Sequence, residues 1–174
     1  MKKTGLFYWP RKGNVETCAF KIKENFAPDA IDVFCLDEIK NVNLQHYDLV
    51  IIGGSTVGAD NWENAIVNNF WSDFFEKFGN DALKNKPVAM YGLGDQILYP
   101  DHFVNGMKEI KEEIDAAGAL FIGRWQIDGY DFTNSDSVEN NMFLGLALDE
   151  DRQPELTEAR IQKWLTQIKK EADF

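Results

Sequence analysis

The sequence is short of positive charge: 18 lysines and arginines stand against 29 aspartates and glutamates in 174 residues, a net charge of −11. Nucleic acid is thereby excluded as an expected partner, because it would meet a repulsive field instead of a basic patch. A protein partner with a positive face would be steered in. Cysteine is scarce as well. Cys18 and Cys35, the only two, lack metal-ligand spacing and fall on a predicted helix and a predicted strand, so both are expected as buried free thiols. The two histidines, His46 and His102, have no second ligand at useful spacing and read as hydrogen-bonded structural residues. No apolar run approaches the length of a membrane span. Repeats, low-complexity tracts and long polar segments are absent. Met1-Lys2-Lys3 passes so directly into an apolar strand that no signal peptide is expected, and the expected location is the cytoplasm.

Three familiar nucleotide and phosphoryl signatures are missing too. There is no G-x-x-x-x-G-K-[ST] and no G-x-G-x-x-G opening the first helix. The first strand ends in Tyr8-Trp9-Pro10 where a phosphoacceptor receiver would carry an acidic pair. Asp95 has no base, nucleophile or metal beside it, so no acid/base chemistry is assigned.

What is present is a core: 44% hydrophobic and 13% aromatic residues, enough for one domain over 1–174. Apolar patterning predicts strands at 4–9, 31–36, 48–54, 88–91 and 119–123, and helices at 14–25, 62–78, 103–117 and 157–170. Phe70, Trp71, Phe74, Phe75 and Phe78 lie near helical spacing and read as core. Residues 124–141 show neither a helical nor a strand period, and the run 143–148 is expected to restore the sheet. Asp149-Glu150-Asp151 reads as a solvated turn. Alternating strands and helices predict an α/β doubly wound sheet of five parallel strands in the order 2-1-3-4-5.

Three loops then share one edge. Pro10-Arg11-Lys12-Gly13, between a central strand and a helix N-terminus, is a place for a phosphate. Ser55-Thr56-Val57-Gly58 follows the third strand. Gly92-Leu93-Gly94-Asp95-Gln96, closed by Tyr99-Pro100, follows the fourth, with Gly92 and Gly94 expected to turn the chain and expose its N–H groups. Such an edge suits a mononucleotide whose flat ring sits between the second and third loops.

Gly92-Leu93-Gly94-Asp95-Gln96, Tyr99-Pro100, Asp128-Gly129-Tyr130-Asp131-Phe132, and the run from Phe143-Leu144-Gly145 through Leu146-Ala147-Leu148 to Asp149-Glu150-Asp151 together resemble the flavodoxin family, across nearly the whole chain. The long-chain type is expected, with the last strand split by an inserted loop at 124–141. The resemblance implies non-covalently bound FMN and a low-potential one-electron carrier, a monomer shuttling between redox proteins with basic docking faces. It implies that Tyr99 stacks on the outer ring face. Backbone groups of Gly94, Asp95 and His102 would bond the pyrimidine edge, with Gly92 and Leu93 leading into them. Backbone groups of Arg11, Lys12, Gly13, Asn14 and Val15 would hold the phosphate, and Ser55, Thr56, Val57 and Gly58 would border the ring. Val57 or Trp62 would cover its inner face, unless Trp62 anchors only its own helix. The family's hydroxyl-rich turn T-x-T-G-x-T is replaced here by Pro10, Lys12 and Val15. Two other readings stay open at this point: a flavin-dependent quinone or nitro reductase, and a flavin-free interaction module.

Overall fold

The computed structural model describes residues 2–55, 70–79 and 81–174. Strand β1 (Thr4–Tyr8) leads into helix α1 (Asn14–Lys23), and β2 (Ile31–Cys35) is followed by the short 3-10 turns Leu36–Glu38 and Leu44–His46. After β3 (Leu49–Ser55), α2 (Phe70–Phe74) runs on as a π turn over Phe75–Gly79. Then come β4 (Pro87–Leu93), α3 (Gly106–Ala116), β5 (Leu120–Phe121), β6 (Trp125–Gln126), β7 (Val138–Glu139), β8 (Met142–Phe143), β9 (Leu146–Leu148) and α4 (Pro154–Glu171).

The main sheet is parallel with the order β2-β1-β3-β4-β5, as the alternation of elements predicts. Its last position is occupied in two pieces. Pro87 and Val88 of β4 pair with Leu120 and Phe121 of β5, and further along the same strand Tyr91, Gly92 and Leu93 pair with Leu146, Ala147 and Leu148 of β9. The chain between them closes on itself as a small antiparallel sheet, β6-β8-β7. The expected single run 143–148 is therefore divided: Phe143 belongs to the small sheet and only Leu146–Leu148 to the large one. Gly145 marks the change, because a Cβ there would lie 2.2 Å from the carbonyl oxygen of Met90.

Helices cover both faces, which is why residues 49–52 of β3 and 88–91 of β4 are apolar at every position. Leu49, Val50, Ile51 and Ile52 are wholly buried. Val15, Cys18, Ala19 and Ile22 form the inner face of α1, Met107, Ile110 and Ile114 that of α3, and Ile161, Trp164, Leu165 and Ile168 that of α4. Each large side chain buried in this way contributes about 1.5–3 kcal/mol. Gly118, at φ +68°, supplies the left-handed residue that ends α3. Trp71, Phe74 and Phe75 are core residues, as their spacing predicts, and the half-buried Phe70 and Phe78 pack against that core, Phe70 also stacking on Trp9 at 4.8 Å and 25°. The predicted helical residues 62–69 lie outside the described residues. Both cysteines are free and buried, and burial pushes the Cys18 thiol up to about 12. Among the described residues no helix is long and apolar enough to cross a membrane.

Candidate functional site

The strand order sets β1 and β4 on either side of β3, so the turn after β1 and the loop after β4 share the carboxyl edge of the sheet, where open α/β folds hold ligands. The first turn is built around a carboxylate. Glu16 accepts from the Tyr8 hydroxyl at 2.6 Å and from the Lys12 N–H at 3.0 Å, which together hold its carboxyl below the usual range, the tyrosine contributing most. Lys12 occupies the left-handed region at φ +59°, a conformation a side chain resists. The bond from its N–H to Glu16 holds it there. Arg11 points elsewhere: its Nη2 pairs with Asp37 at 2.9 Å and with Glu38.

Helix α1 has no side-chain cap, and among the described residues nothing accepts from the N–H groups of Gly13, Asn14, Val15 and Glu16. Those donors and the helix dipole make a place for an anion. Gly13 leaves the approach open, since a Cβ there would meet nothing within 4 Å. The Val15 side chain is buried, and its carbonyl accepts from the fully buried Tyr91 hydroxyl at 2.8 Å, pinning the first turn of the helix to β4.

The loop after β4 begins two residues later than its sequence suggests. Gly92 and Leu93 are the last residues of the strand, Gly92 pairing with Gly54 on one side and Ala147 on the other. Gly92 is needed for packing and not for a turn, because a Cβ on it would stand 2.6 Å from Cγ of Met107. From Gly94 on, the loop is heavily bonded. The Gly94 N–H donates to the Leu148 carbonyl at 3.1 Å, Tyr99 N–H to Asp95 O at 3.0 Å, and His102 N–H to Tyr99 O at 3.1 Å. The Asp95 carboxylate accepts from the N–H groups of Ile97 and Leu98 and is clamped by Arg152 through Nε and Nη2. Arg152 first, and then those N–H groups, hold the Asp95 carboxyl below its ordinary value of 3.8. Its own N–H has no acceptor among the described residues. Tyr99 is 42% exposed, beside Ile97 and Leu98, which are more exposed still.

Ser55 ends β3 opposite Leu93. Thr56, Val57, Gly58 and Trp62 lie outside the described residues. Sequence reasoning missed two groups at this edge. Trp9 stacks on Phe70 directly after β1. Asp149, expected in a solvated turn, is fully buried and accepts from Gln96 N–H, Gln96 Nε2, Asp151 N–H and Arg152 N–H. Its position directly after a buried apolar run, with donors two and three residues on as in an Asx turn, was the available signal.

A parallel sheet whose carboxyl edge offers an anion site on one strand and a bonded, aromatic-bearing loop two strands away defines a mononucleotide-type protein. The flavodoxin family model matches residues 6–164. The chain is similar to a flavodoxin of Synechococcus elongatus, 38% identical with 98% of each chain covered, and to flavodoxin 1 of Escherichia coli, 35% identical with 98% of this chain and 95% of the relative covered. Among solved structures it is similar to a Fusobacterium nucleatum flavodoxin bound to flavin mononucleotide, with TM-score 0.80, 27% identity, and 98% and 99% of the two chains covered. The chain belongs to the flavodoxin family. The long-chain type expected from the split strand is corrected: one flavodoxin domain accounts for the match, and relatives of the same extent cover the chain nearly end to end, which supports the short-chain type. The segment between β5 and β9 is folded within that one domain, as the small sheet β6-β8-β7.

Proposed function

We propose that this chain binds FMN non-covalently at the carboxyl edge of its sheet and carries single electrons at low potential between protein partners, without acting as an enzyme. The observation that carries the reading is the set of N–H groups from Gly13 to Glu16, which have no acceptor among the described residues and open α1. They fit a phosphate. FMN, when bound, supplies reversible one-electron chemistry; the chain's own residues bind and orient it. The N–H groups of Gly13, Asn14 and Val15 hold the phosphate, and the Lys12 ammonium adds charge in place of the hydroxyls that Pro10, Lys12 and Val15 lack. Arg11 contributes its place in the turn and not its guanidinium, which Asp37 and Glu38 occupy. On the ring side Tyr99 offers an aromatic face and the Asp95 N–H a donor. Gly92, Leu93, Gly94 and His102 shape that wall, and Ser55 ends β3 opposite Leu93.

Residues 1–174 act as one domain, a monomer in the cytoplasm. With 29 acidic against 18 basic residues, its partners present basic docking faces. A flavin-free interaction module is the second reading, favoured by the loss of the turn's hydroxyls and by the Glu16 carboxylate within it. Titration of apoprotein with FMN, and with riboflavin beside it, separates the two. Stoichiometric FMN binding with much weaker riboflavin binding is expected; no binding of either would leave the interaction module.

A further inference from the structure

The loop that carries Tyr99 is tied to two other parts of the chain through one side chain. Gln96 is 1% exposed. Its backbone N–H and its Nε2 both donate to Oδ2 of Asp149, at 3.0 and 2.8 Å, while its Oε1 accepts from the Asp131 N–H in the segment between β6 and β7. Asp149 gives its other oxygen to the N–H groups of Asp151 at 3.1 Å and Arg152 at 2.9 Å. Arg152 then reaches back to Asp95, at the start of the same loop, through Nε at 3.0 Å and Nη2 at 2.9 Å.

A buried carboxylate is costly unless its lone pairs are filled. Here all four donors to Asp149 are neutral amides, two of them on the loop and two on the turn after β9. The loop between Gly94 and Tyr99 is thus held at both its first residues by a turn that comes more than fifty positions later in the chain. Loops carry function and are held by scaffolds; at this edge the scaffold is the end of β9.

We propose that Asp149 is a positioning residue for the flavin ring: acting through Gln96, it sets where the Tyr99 ring and the Asp95 N–H stand, with Arg152 as the outer arm of the same clamp. This rests on the FMN reading above. Asp149→Asn keeps the shape and removes one acceptor. If the remaining oxygen serves Asp151 and Arg152, an NH2 group faces both donors of Gln96, and the loop loses its anchor. A glutamate at position 96 would accept from that NH2 while still accepting from Asp131.

The experiment measures FMN dissociation by fluorescence quenching and the visible circular dichroism of the bound flavin. The proteins are the parent, Asp149→Asn, and Asp149→Asn combined with Gln96→Glu. The expected result is roughly tenfold weaker binding and an altered visible spectrum in the single variant, with both moving back toward the parent in the double one. A merely structural Asp149 would lower the melting temperature and leave affinity and spectrum of the folded protein alone; that result overturns the inference. A parent that binds no FMN removes the reading beneath it, and is seen before any variant is made. If Asp149→Asn does not fold, Arg152→Gln in the exposed arm carries the test. An altered visible spectrum with weaker binding supports the clamp, and an unchanged one overturns it.

Discussion

Replacing Gly92 with alanine puts a methyl group where the structure has a close contact between β4 and α3. An added Cβ would lie 2.6 Å from Cγ and 2.9 Å from Sδ of Met107, against the ~3.5–4.0 Å of a relaxed carbon contact. About 1 Å of displacement is needed. Met107 is 1% exposed, and Cγ sits near the root of its side chain, so the flexible tip cannot absorb the shift alone. Overpacking of this size costs about 1–3 kcal/mol, or roughly 2–12 °C in Tm for a chain of this length. Met107→Ala by itself should cost about 2–5 kcal/mol through the cavity it leaves. Combined, the two substitutions compensate: the new methyl enters the space that the methionine vacates, and a coupling of about 0.5–2 kcal/mol is expected. Urea unfolding of the apoprotein and the three variants closes the cycle. Were Gly92 present for a turn, its replacement would cost backbone energy that Met107 cannot relieve. Costs additive within about 0.5 kcal/mol would therefore refute the packing argument.

Lys12→Gln is expected to raise the FMN dissociation constant roughly two- to fivefold at low ionic strength, as fits an exposed ion pair; the gap should close at high salt, and a flat salt response in both proteins would contradict the compensating role of Lys12. Tyr91→Phe removes the buried hydroxyl that donates to Val15, about 1 kcal/mol net and roughly 2–4 °C in Tm, and an unchanged melting point would mean that the bond does not pin α1. The Asp95 carboxyl is depressed below 3.8 in the folded chain, with Arg152 as the main cause. Its stabilising contribution is therefore complete above the unfolded value and is lost as pH falls through the lower, folded one. Asp95→Asn should accordingly melt lower than the parent at pH 7, with the difference shrinking toward pH 3; a difference independent of pH would be the contrary result.

The parts of this fold that could be read along the chain are those decided by neighbours in sequence. Leu49 to Ile52 is an unbroken apolar run, and such a run has no place except a central strand covered on both sides. Asn14 to Lys23 repeats its apolar residues at helical spacing because one face meets the sheet. Gly92 could not be read, because a glycine that bends a chain and one that makes room for Met107 leave the same letter. Phe143 and Leu146 belong to different sheets for a reason that lies in another strand, the backbone of Met90 against Gly145. Charge partners were equally hidden. The Arg11 guanidinium meets Asp37 and Glu38, carboxylates that lie beyond the next strand, and Asp149 looks solvated until Gln96 arrives. That the turn after β1 lies at the carboxyl edge could be read because its place follows from strand order alone.

The claim that this chain is a one-electron FMN carrier is tested most directly by a spectroscopic redox titration of the FMN-loaded protein. Two separate one-electron steps are predicted, with the second lying well below the potential of free FMN, since a second negative charge must be added inside a protein of net charge −11. A single two-electron step at the potential of free FMN would contradict it.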